Sequence, residues 1–311
     1  MNGRVKSFLG PAYPFYIRMK TSETVRDLTA AIGLPAYRRR RHANPGVLAV
    51  DVDARMGLGA TIAKALLFHA LAEDQGLRPA IISSNPLYAG APGEDLLSRY
   101  FDRPVAASAG PSLSGRSYLW ALRKVAQTHI PYERAATLFT QHFQPSALVK
   151  ETIAAVMAGR DRFDLSIHFR GTDKFLESGR VNVDGLLRQI DRTLPSLPAR
   201  AQIFLATDDA SCEAALRLRY ANMSFTTYNL DDVPTGVPRH FSAMSPQNKA
   251  LEAVVNIFLL ASAPRCIRTS SYLSAISKIS RSNLKTVTIN KTLSGSTGFP
   301  ERQVIGTEAD G

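Results

Sequence analysis

The hydrophobic positions of this chain fall alternately into short continuous runs and into helical spacing. Gly46–Asp53 is a run of mostly apolar residues that is typical of a buried strand. A glycine-bearing turn follows at residues 55–59. From Ala60 to Asp74 the apolar residues recur every three or four positions, as they do on one face of a helix. A second short strand is predicted at residues 79–83, and this order predicts the βαβ unit that opens a doubly wound α/β domain.

The same alternation continues to the end of the chain. Helices are predicted at residues 118–127, 133–140, 145–158, 183–193, 210–220, 247–261 and 270–279. Strands are predicted at residues 164–169, 202–206, 224–228, 265–268 and 286–289. Strands that alternate with helices predict an α/β fold with mostly parallel sheets.

Two domains are predicted, because 311 residues suit two α/β domains of about 150 residues each. We place their boundary at the polar segment that begins with Gly159, which gives an N-terminal domain over 1–159 and a C-terminal domain over 160–311. Residues 84–118 are rich in Pro, Gly and Ser. They are predicted to form a long, partly irregular connection of the kind that often carries substrate contacts.

The charge balance is strongly basic, with 38 Lys and Arg against 26 Asp and Glu and a net charge of +12. Such a surface suits nucleic acid, an anionic membrane or a phosphorylated small molecule. Aromatic residues make up only 8% of the chain, and no helix-turn-helix, zinc-finger or RNA-recognition motif is found, so no nucleic-acid partner is expected. The basic run Tyr37–His42 is interpreted as a solvated loop or a contact with anionic lipid.

A cytoplasmic protein is predicted, with peripheral contact to an anionic membrane left open. The first twenty residues lack the apolar core of a signal peptide, and the longest apolar run, Val254–Ala263, is too short to span a bilayer. Cys212 and Cys266 are interpreted as two buried thiols in a reducing compartment. The six histidines include no pair at the short spacing of a zinc site, and no metal ligand is predicted.

Polar residues directly follow three predicted strands of the second half. His168 and Arg170 end the first strand, Asp208 follows the second, and Ser270 and Ser271 follow the third. Ligands of open α/β sheets bind at the carboxyl ends of strands. An arginine fork suits phosphate, a carboxylate suits the N1–H and amine of guanine, and a helix N-terminus suits an anion. The three positions together predict a site for a nucleoside diphosphate.

Each of these positions also has a purely structural interpretation. Arg170 and Asp173 could form a surface ion pair, and His168 could be a hydrogen-bonded core histidine. Asp209 is expected to cap the following helix, which leaves Asp208 for the ligand. Ser270 and Ser271 could likewise serve as helix caps, a role compatible with binding phosphate.

The motif His168-Phe169-Arg170-Gly171-Thr172-Asp173-Lys174, the segment Leu205–Asp209 and the segment Thr269–Ser271 after a long apolar helix resemble the α1,6-fucosyltransferases. That group includes the rhizobial nodulation and animal core-fucosylating enzymes and is related to the α1,2- and protein O-fucosyltransferases. The resemblance covers about residues 46–290. It implies a GT-B fold with two Rossmann-like domains, GDP-fucose as donor, inversion at the sugar carbon, no metal or other cofactor, and a glycan or glycolipid-like acceptor.

The resemblance also implies roles for individual residues. These are Arg170 on the β-phosphate, His168 and Asp208 on guanine, Lys174 at the donor, Ser270 and Ser271 on the diphosphate, and Gly57 and Gly59 where backbone approaches the donor. Inversion needs a base or an orienting carboxylate at the acceptor hydroxyl. Glu177 is the first candidate and Asp173 the second.

Three departures separate this chain from the pattern of that group. Gly171 stands where many members have a second arginine, Glu177 is one residue nearer the lysine than the family glutamate, and Tyr272 replaces a polar amide. The resemblance therefore implies the donor class and leaves the linkage open.

Other interpretations remain. Asp51-Val52-Asp53 is similar to the Asp-x-Asp of metal-dependent GT-A enzymes, although a glycine turn follows it at once. A second alternative is a non-catalytic binder of nucleotides or polyanions. A third keeps the GT-B transferase and changes the sugar, for example to GDP-mannose.

Overall fold

The computed structural model describes residues 22–91, 93–103, 112–114, 118, 120, 121, 123, 130–171, 183–231 and 242–290. Within these residues the chain is a mixed α/β protein with parallel sheets, as the alternating pattern predicted. The predicted elements that fall on described residues are found with ends shifted by a few residues. The division into two domains at residue 159 stays a prediction.

The first half carries two short sheets and their covering helices. Its helices are α1 (Glu23–Ala43), α2 (Leu58–Asp74), α3 (Leu96–Tyr100), α4 (Tyr132–His142) and α5 (Ala147–Val156). Its strands are β1 (Val47–Asp51), β2 (Arg78–Ile82), β3 (Phe101–Asp102) and β4 (Gln144–Pro145). β1 pairs with β2 in parallel, and β3 pairs with β4 in antiparallel. The strand, glycine turn, helix and strand predicted at the start of this half are therefore confirmed.

The second half carries one five-stranded sheet in the order β7-β6-β5-β8-β9, with all neighbours parallel. Its strands are β5 (Leu165–Phe169), β6 (Gln202–Thr207), β7 (Ser224–Thr226), β8 (Arg265–Arg268) and β9 (Lys285–Thr288). Its helices are α6 (Val183–Thr193), α7 (Ala210–Arg219), α8 (Pro246–Ser262) and α9 (Tyr272–Ser280). This strand order makes β5 the central strand of the sheet.

Both faces of this sheet are covered. Phe204 and Ala206 of β6 belong to the cluster that also contains α8 residues, whereas Ile203 and Leu205 pack with residues of α6 and α7. Successive side chains of a strand point to opposite faces, so this division follows directly from the pleat. Because helices cover both faces of the sheet, the sequences of its strands are continuous apolar runs.

The largest hydrophobic cluster joins the two halves of the chain. α2 is buried along most of its length and packs against α9, α8 and α4. A helix that is apolar all round belongs in a core. This burial exceeds the single broad face that the sequence predicted.

Two histidines are part of that core. His69 of α2 stacks on His142 of α4, with ring centroids 3.8 Å apart and planes 15° apart. Burial lowers the pKa of His69 to about 2, and the charges of His142 and Arg103 act in the same direction. Burial also lowers the pKa of His142. The stacked pair is therefore neutral at physiological pH.

One interpretation for the first half is wrong. The basic run Tyr37–His42 is helical and forms the last turns of α1, so it is not the solvated loop that was one of its two interpretations. In the described part of the connection at residues 84–118 the short elements α3 and β3 interrupt irregular chain, and Leu113 joins the first sheet through hydrogen bonds with Ala49 and Asp51. The pattern missed these elements because they are short or, in α1, because the buried face carries few apolar residues.

The structure also shows the state of the two cysteines and the character of the helices. Cys212 and Cys266 are both free and buried, as expected. In the part of the chain that is described, no helix is sufficiently long and apolar to cross a bilayer.

Candidate functional site

Three groups of polar residues follow neighbouring strands of the five-stranded sheet. His168 and Arg170 lie at the end of β5, Asp208 follows β6, and Thr269–Ser271 follows β8. β6 and β8 flank β5 on either side. The carboxyl ends of parallel strands lie at one edge of a sheet, so the strand order brings the three groups together.

Arg170 is held through both its backbone and its side chain. Its N–H donates to Oγ1 of Thr269 at 2.9 Å. Its guanidinium Nε lies 3.9 Å from Oδ2 of Asp208, and the two side chains are 20% and 10% exposed. The N–H of Gly171 donates to the other oxygen of that carboxylate at 3.3 Å. Asp208 is therefore an ion-pair partner of Arg170, while the alternative partner Asp173 lies outside the described residues.

His168 is buried, and its environment fixes its protonation. Burial lowers its pKa to about 3, and the charge of Arg170 acts in the same direction. Its Nδ1 lies 3.3 Å from the carbonyl oxygen of Thr269, which can only accept a hydrogen bond. This contact assigns the proton of the neutral ring to Nδ1 and leaves Nε2 as an acceptor.

The loop after β8 is ordered by its own polar groups. Ser271 is the N-cap of α9, and its Oγ accepts from the N–H of Ser274. The N–H of Ser270 donates to Oδ1 of Asn290 at 2.7 Å. The N–H of Ser270 is thus directed to Asn290. The expected capping role of Ser271 is confirmed.

Arg268 supports this loop, a role that was not predicted for it. It is fully buried. Its Nε donates to Oγ1 of Thr288 at 3.1 Å, and its Nη1 donates to Oγ of Ser274 at 3.2 Å. These bonds tie β8 to β9 and to the first turn of α9. A buried arginine after an apolar run is the signal that could have found it, since such a charge needs partners.

The glycine turn before α2 lies against the N-terminus of α9. A Cβ on Gly59 would lie 2.6 Å from the backbone nitrogen of Leu273 and 2.7 Å from the carbonyl carbon of Tyr272. A Cβ on Gly57 would meet nothing within 4 Å. Gly59 therefore has a packing reason of its own, because only glycine lets α2 approach α9 so closely.

Tyr88 is bonded to the glycine turn and lies within electrostatic range of Arg170, and sequence reasoning missed it. Its buried hydroxyl accepts from the N–H of Leu58 at 3.1 Å. Burial raises the pKa of Tyr88 to about 12; the charge of Arg170 opposes this shift and that of Glu252 adds to it. Tyr88 lies in the Pro- and Gly-rich segment whose sequence offered no pattern to single it out. It brings a residue of the first half to the site formed by the second.

The departure at Gly171 has a steric reason. A Cβ there would lie 2.9 Å from Oδ2 of Asp209 and 3.1 Å from a ring carbon of Phe169. Asp209 caps α7, because its Oδ1 accepts from the N–H groups of Ser211 and Cys212. The expected cap at Asp209 is thus confirmed, and a side chain at 171 would require the other oxygen, Oδ2, and the ring of Phe169 to shift.

The carboxylate of Asp51, in the Asp-x-Asp segment, is engaged at both oxygens. Oδ1 accepts from the N–H of Ser84 at 2.8 Å, and Oδ2 accepts from its hydroxyl at 2.7 Å. Burial raises the pKa of Asp51, although these hydrogen bonds oppose it. Asp51 therefore ties the ends of β1 and β2 together. Among the described residues no group of three or more His, Cys, Asp or Glu side chains is arranged to hold a metal ion.

The candidates for the acceptor base lie outside the described residues. Asp173, Lys174 and Glu177 all fall in residues 172–182. Their roles stay predictions.

Comparison with known proteins finds similarity in three dimensions only. No protein-family model and no curated protein matches the sequence. A solved structure of NodZ α-1,6-fucosyltransferase soaked with GDP-fucose matches with a TM-score of 0.52 and 13% identity, over 78% of this chain and 94% of that chain. The fucosyltransferase NodZ from Bradyrhizobium matches with a TM-score of 0.52 and 14% identity, over 78% of this chain and 96% of that one.

The chain has the fold of these fucosyltransferases. The matched share of 78% exceeds the length of either half of the chain, so the likeness extends over both. At 13–14% sequence identity, this similarity is one of fold.

Proposed function

We propose that this protein is a glycosyltransferase of the two-domain GT-B type that transfers fucose from GDP-fucose, with inversion and without a metal, to a glycan or glycolipid-like acceptor. The observation that carries the proposal is the meeting of His168 and Arg170, Asp208, and Ser270–Ser271 at one edge of a parallel sheet. The likeness in fold to an α-1,6-fucosyltransferase soaked with GDP-fucose supports it.

The guanine end of the donor would lie at His168 and Asp208. Guanine presents two adjacent donors, its N1–H and its 2-amino group. A carboxylate accepts from both, and a neutral imidazole with its proton on Nδ1 offers a further acceptor at Nε2. Uracil lacks this pair of donors, so the two side chains favour a guanine nucleotide.

The diphosphate end would lie at Arg170 and the first turn of α9. Arg170 offers a planar fork of N–H donors, which matches two phosphate oxygens at once. The N-terminus of α9 adds the positive end of the helix dipole. As the bond to the sugar breaks, negative charge builds on the β-phosphate, and these fixed groups would stabilise it in place of a metal ion.

The acceptor side would lie in the first half of the chain, taken as a domain over residues 1–159. The contact between the glycine turn and α9, and the effect of Arg170 on Tyr88, support a site shared between the halves. Inversion needs a carboxylate at the attacking hydroxyl, and Glu177 and then Asp173 are our candidates. Lys174 would add positive charge at the donor.

Thermal stabilisation by nucleotides tests the donor class. The melting temperature of the full chain is measured with GDP, GDP-fucose, GDP-mannose, UDP and ADP, each with EDTA present. A ligand that binds the native state at 100 times its Kd adds about 2.7 kcal/mol to the free energy of unfolding. We expect selective stabilisation by GDP and its sugars; stabilisation by UDP alone would overturn the proposal.

Donor turnover separates an enzyme from a binder. GDP release from GDP-fucose is followed in EDTA, and GDP-mannose is compared at the same concentration. Faster release from GDP-fucose supports the proposed sugar, and faster release from GDP-mannose would reassign it. Glu177→Gln should abolish turnover while GDP still binds; unchanged turnover in both Glu177→Gln and Asp173→Asn would remove the proposed base.

A further inference from the structure

Helix α1 carries small residues on the side that faces the protein. Ala30 and Gly33 are buried there, and Ala30 is only 2% exposed. Tyr37 lies on the same side, with its ring 6.4 Å from that of Trp120. At 3.6 residues per turn these three positions project within about 60° of one another. Packing against the protein therefore uses one narrow side of the helix.

Polar side chains fasten the same side of α1 to the protein. Nη1 of Arg41 donates to the carbonyl oxygen of Val47 at 2.6 Å, and Nη1 of Arg40 donates to that of Ser112 at 3.0 Å. Arg40 and Arg41 project on either side of Tyr37 on the helix surface. These two bonds fix the orientation of the last turns of α1. The opposite side of the helix points to solvent.

The opposite side carries the large aliphatic residues of the helix. Val25, Leu28 and Ile32 are 39%, 68% and 61% exposed. Their positions also project within about 60° of one another, so they form one stripe. Amphipathic helices of globular proteins turn such a stripe towards the core. In α1 this arrangement is reversed, because the aliphatic stripe faces solvent.

This stripe differs from the scattered apolar residues that every protein surface carries. Among the described residues the exposed large hydrophobic side chains are five, and the other two, Leu148 and Leu218, lie on different helices. Single exposed leucines are ordinary, whereas a contiguous exposed apolar surface marks a site of interaction.

Basic side chains continue the stripe towards the end of the helix. Arg39 projects between Leu28 and Ile32, with Arg38 to one side, and both arginines are exposed. The nearest acid of the helix, Asp27, is ion-paired with Arg123 at 2.5 Å. The surface thus combines aliphatic side chains with positive charge, and the one acid of α1 whose side chain is described is paired with Arg123.

We propose that this outer face of α1, formed by Val25, Leu28, Ile32, Arg38 and Arg39, docks on an anionic lipid bilayer. If straight, a helix of 21 residues is about 31 Å long; α1 contains Pro35 between the aliphatic residues and the arginines, and it would lie along the headgroup region with its aliphatic side chains at the acyl boundary. The two arginines then meet lipid phosphates. The fastening of the other side orders the helix before it binds, which lowers the entropy cost of docking.

This inference goes beyond the proposed function and does not rest on it. It concerns the first helix, whereas the proposed donor site lies at the five-stranded sheet. The docking proposal and the proposed function are compatible, because docking would hold the protein at a surface where a glycolipid-like acceptor is found.

Vesicle sedimentation tests the proposal with the full chain. Vesicles of phosphatidylcholine alone are compared with vesicles that also contain phosphatidylserine. Arg38→Gln with Arg39→Gln should weaken partition onto the anionic vesicles about 30-fold, since each charge near the surface contributes about fivefold. Leu28→Ser with Ile32→Ser should weaken it more than tenfold.

Matched variants control for exposure and charge elsewhere. Leu148→Ser with Leu218→Ser removes two exposed leucines outside α1, and Arg188→Gln with Arg192→Gln removes two exposed arginines of α6. Both control pairs should bind vesicles like the wild type. Melting temperatures close to that of the wild type would show that all four variants are folded.

Several results would overturn the proposal. One is absence of binding to anionic vesicles, and another is equal loss in the α1 and control variants. A third is a dimer that depends on Leu28 and Ile32 without any vesicle binding, which would assign the face to a second copy of this chain. Binding of DNA fragments in preference to anionic vesicles, lost in the arginine pair, would assign it to a nucleic acid.

Discussion

The replacement of Arg170 by lysine tests the proposed phosphate clamp with the least disturbance to the fold. Lysine keeps the positive charge beside Asp208, whose carboxylate is only 10% exposed. Replacement by alanine would remove this partner from a largely buried carboxylate and would itself cost stability. The backbone N–H at position 170 still donates to Thr269 in the lysine variant. A loss of activity in this variant would then reflect the loss of the paired N–H donors of the guanidinium.

The expected loss follows from the number of donors. The guanidinium presents two parallel N–H groups to a phosphate, while an ammonium acts as a single point charge. Loss of one preorganised donor to a developing oxyanion costs about 100-fold to 1000-fold in rate, or about 2.7–4 kcal/mol. We therefore expect GDP release from GDP-fucose to fall about 100-fold in Arg170→Lys. GDP affinity should fall less, because the charge on the β-phosphate grows during the reaction.

The assay compares donor turnover with GDP affinity measured by calorimetry. Arg217→Lys is the matched control, because Arg217 contacts Glu213 and the carbonyl of Phe225 far along α7. It should turn over donor like the wild type. A rate for Arg170→Lys within about threefold of the wild type, at an unchanged melting temperature, would refute the clamp.

Three further predictions concern the scaffold. Gly59→Ala should lower the free energy of unfolding by about 1–3 kcal/mol in urea titrations, because its Cβ would meet backbone of α9 at 2.6 Å; Gly57→Ala, with open space, is the control and should change little. Asp209→Ala should cost about 1 kcal/mol through loss of the α7 cap, and an unchanged urea midpoint would contradict the cap. The pKa of His69 is lowered to about 2, so the unfolded chain binds its proton first. Stability is thus full above about pH 6.5 and falls below it by up to about 1.4 kcal/mol per pH unit for this group. His69→Phe should flatten that fall, and an unchanged slope would count against the neutral stacked pair.

The helices and strands of the second half could be predicted almost to the residue. α6 and β8 have the predicted bounds, because an apolar period of 3.6 or a short apolar run is complete within one segment. α1 was missed because its apolar positions do not mark the side of the helix that is buried. Its buried side carries Ala30 and Gly33, so the sequence shows no apolar face turned inward. The cluster of arginines there looked solvated because the carbonyls that bind two of them belong to other segments.

The candidate site was predictable in its strand-end residues and not in their partners. His168, Arg170 and Asp208 could be selected because polar residues after buried strands meet at one edge of a parallel sheet. That Asp208 pairs with Arg170, and that His168 carries its proton on Nδ1, depends on contacts with residues some 40 and 100 positions away.

The sequence by itself determined the α/β class, the order of the elements and the strand ends at which a ligand would bind, since each is encoded in local periodicity. Tertiary structure decided that Gly59 serves the packing of α2 on α9, that Tyr88 bonds to the glycine turn, and that α1 turns its aliphatic stripe to solvent. The reason is physical: a period within a segment shows how that segment folds, whereas the neighbour that each face meets is set by how all the segments pack together.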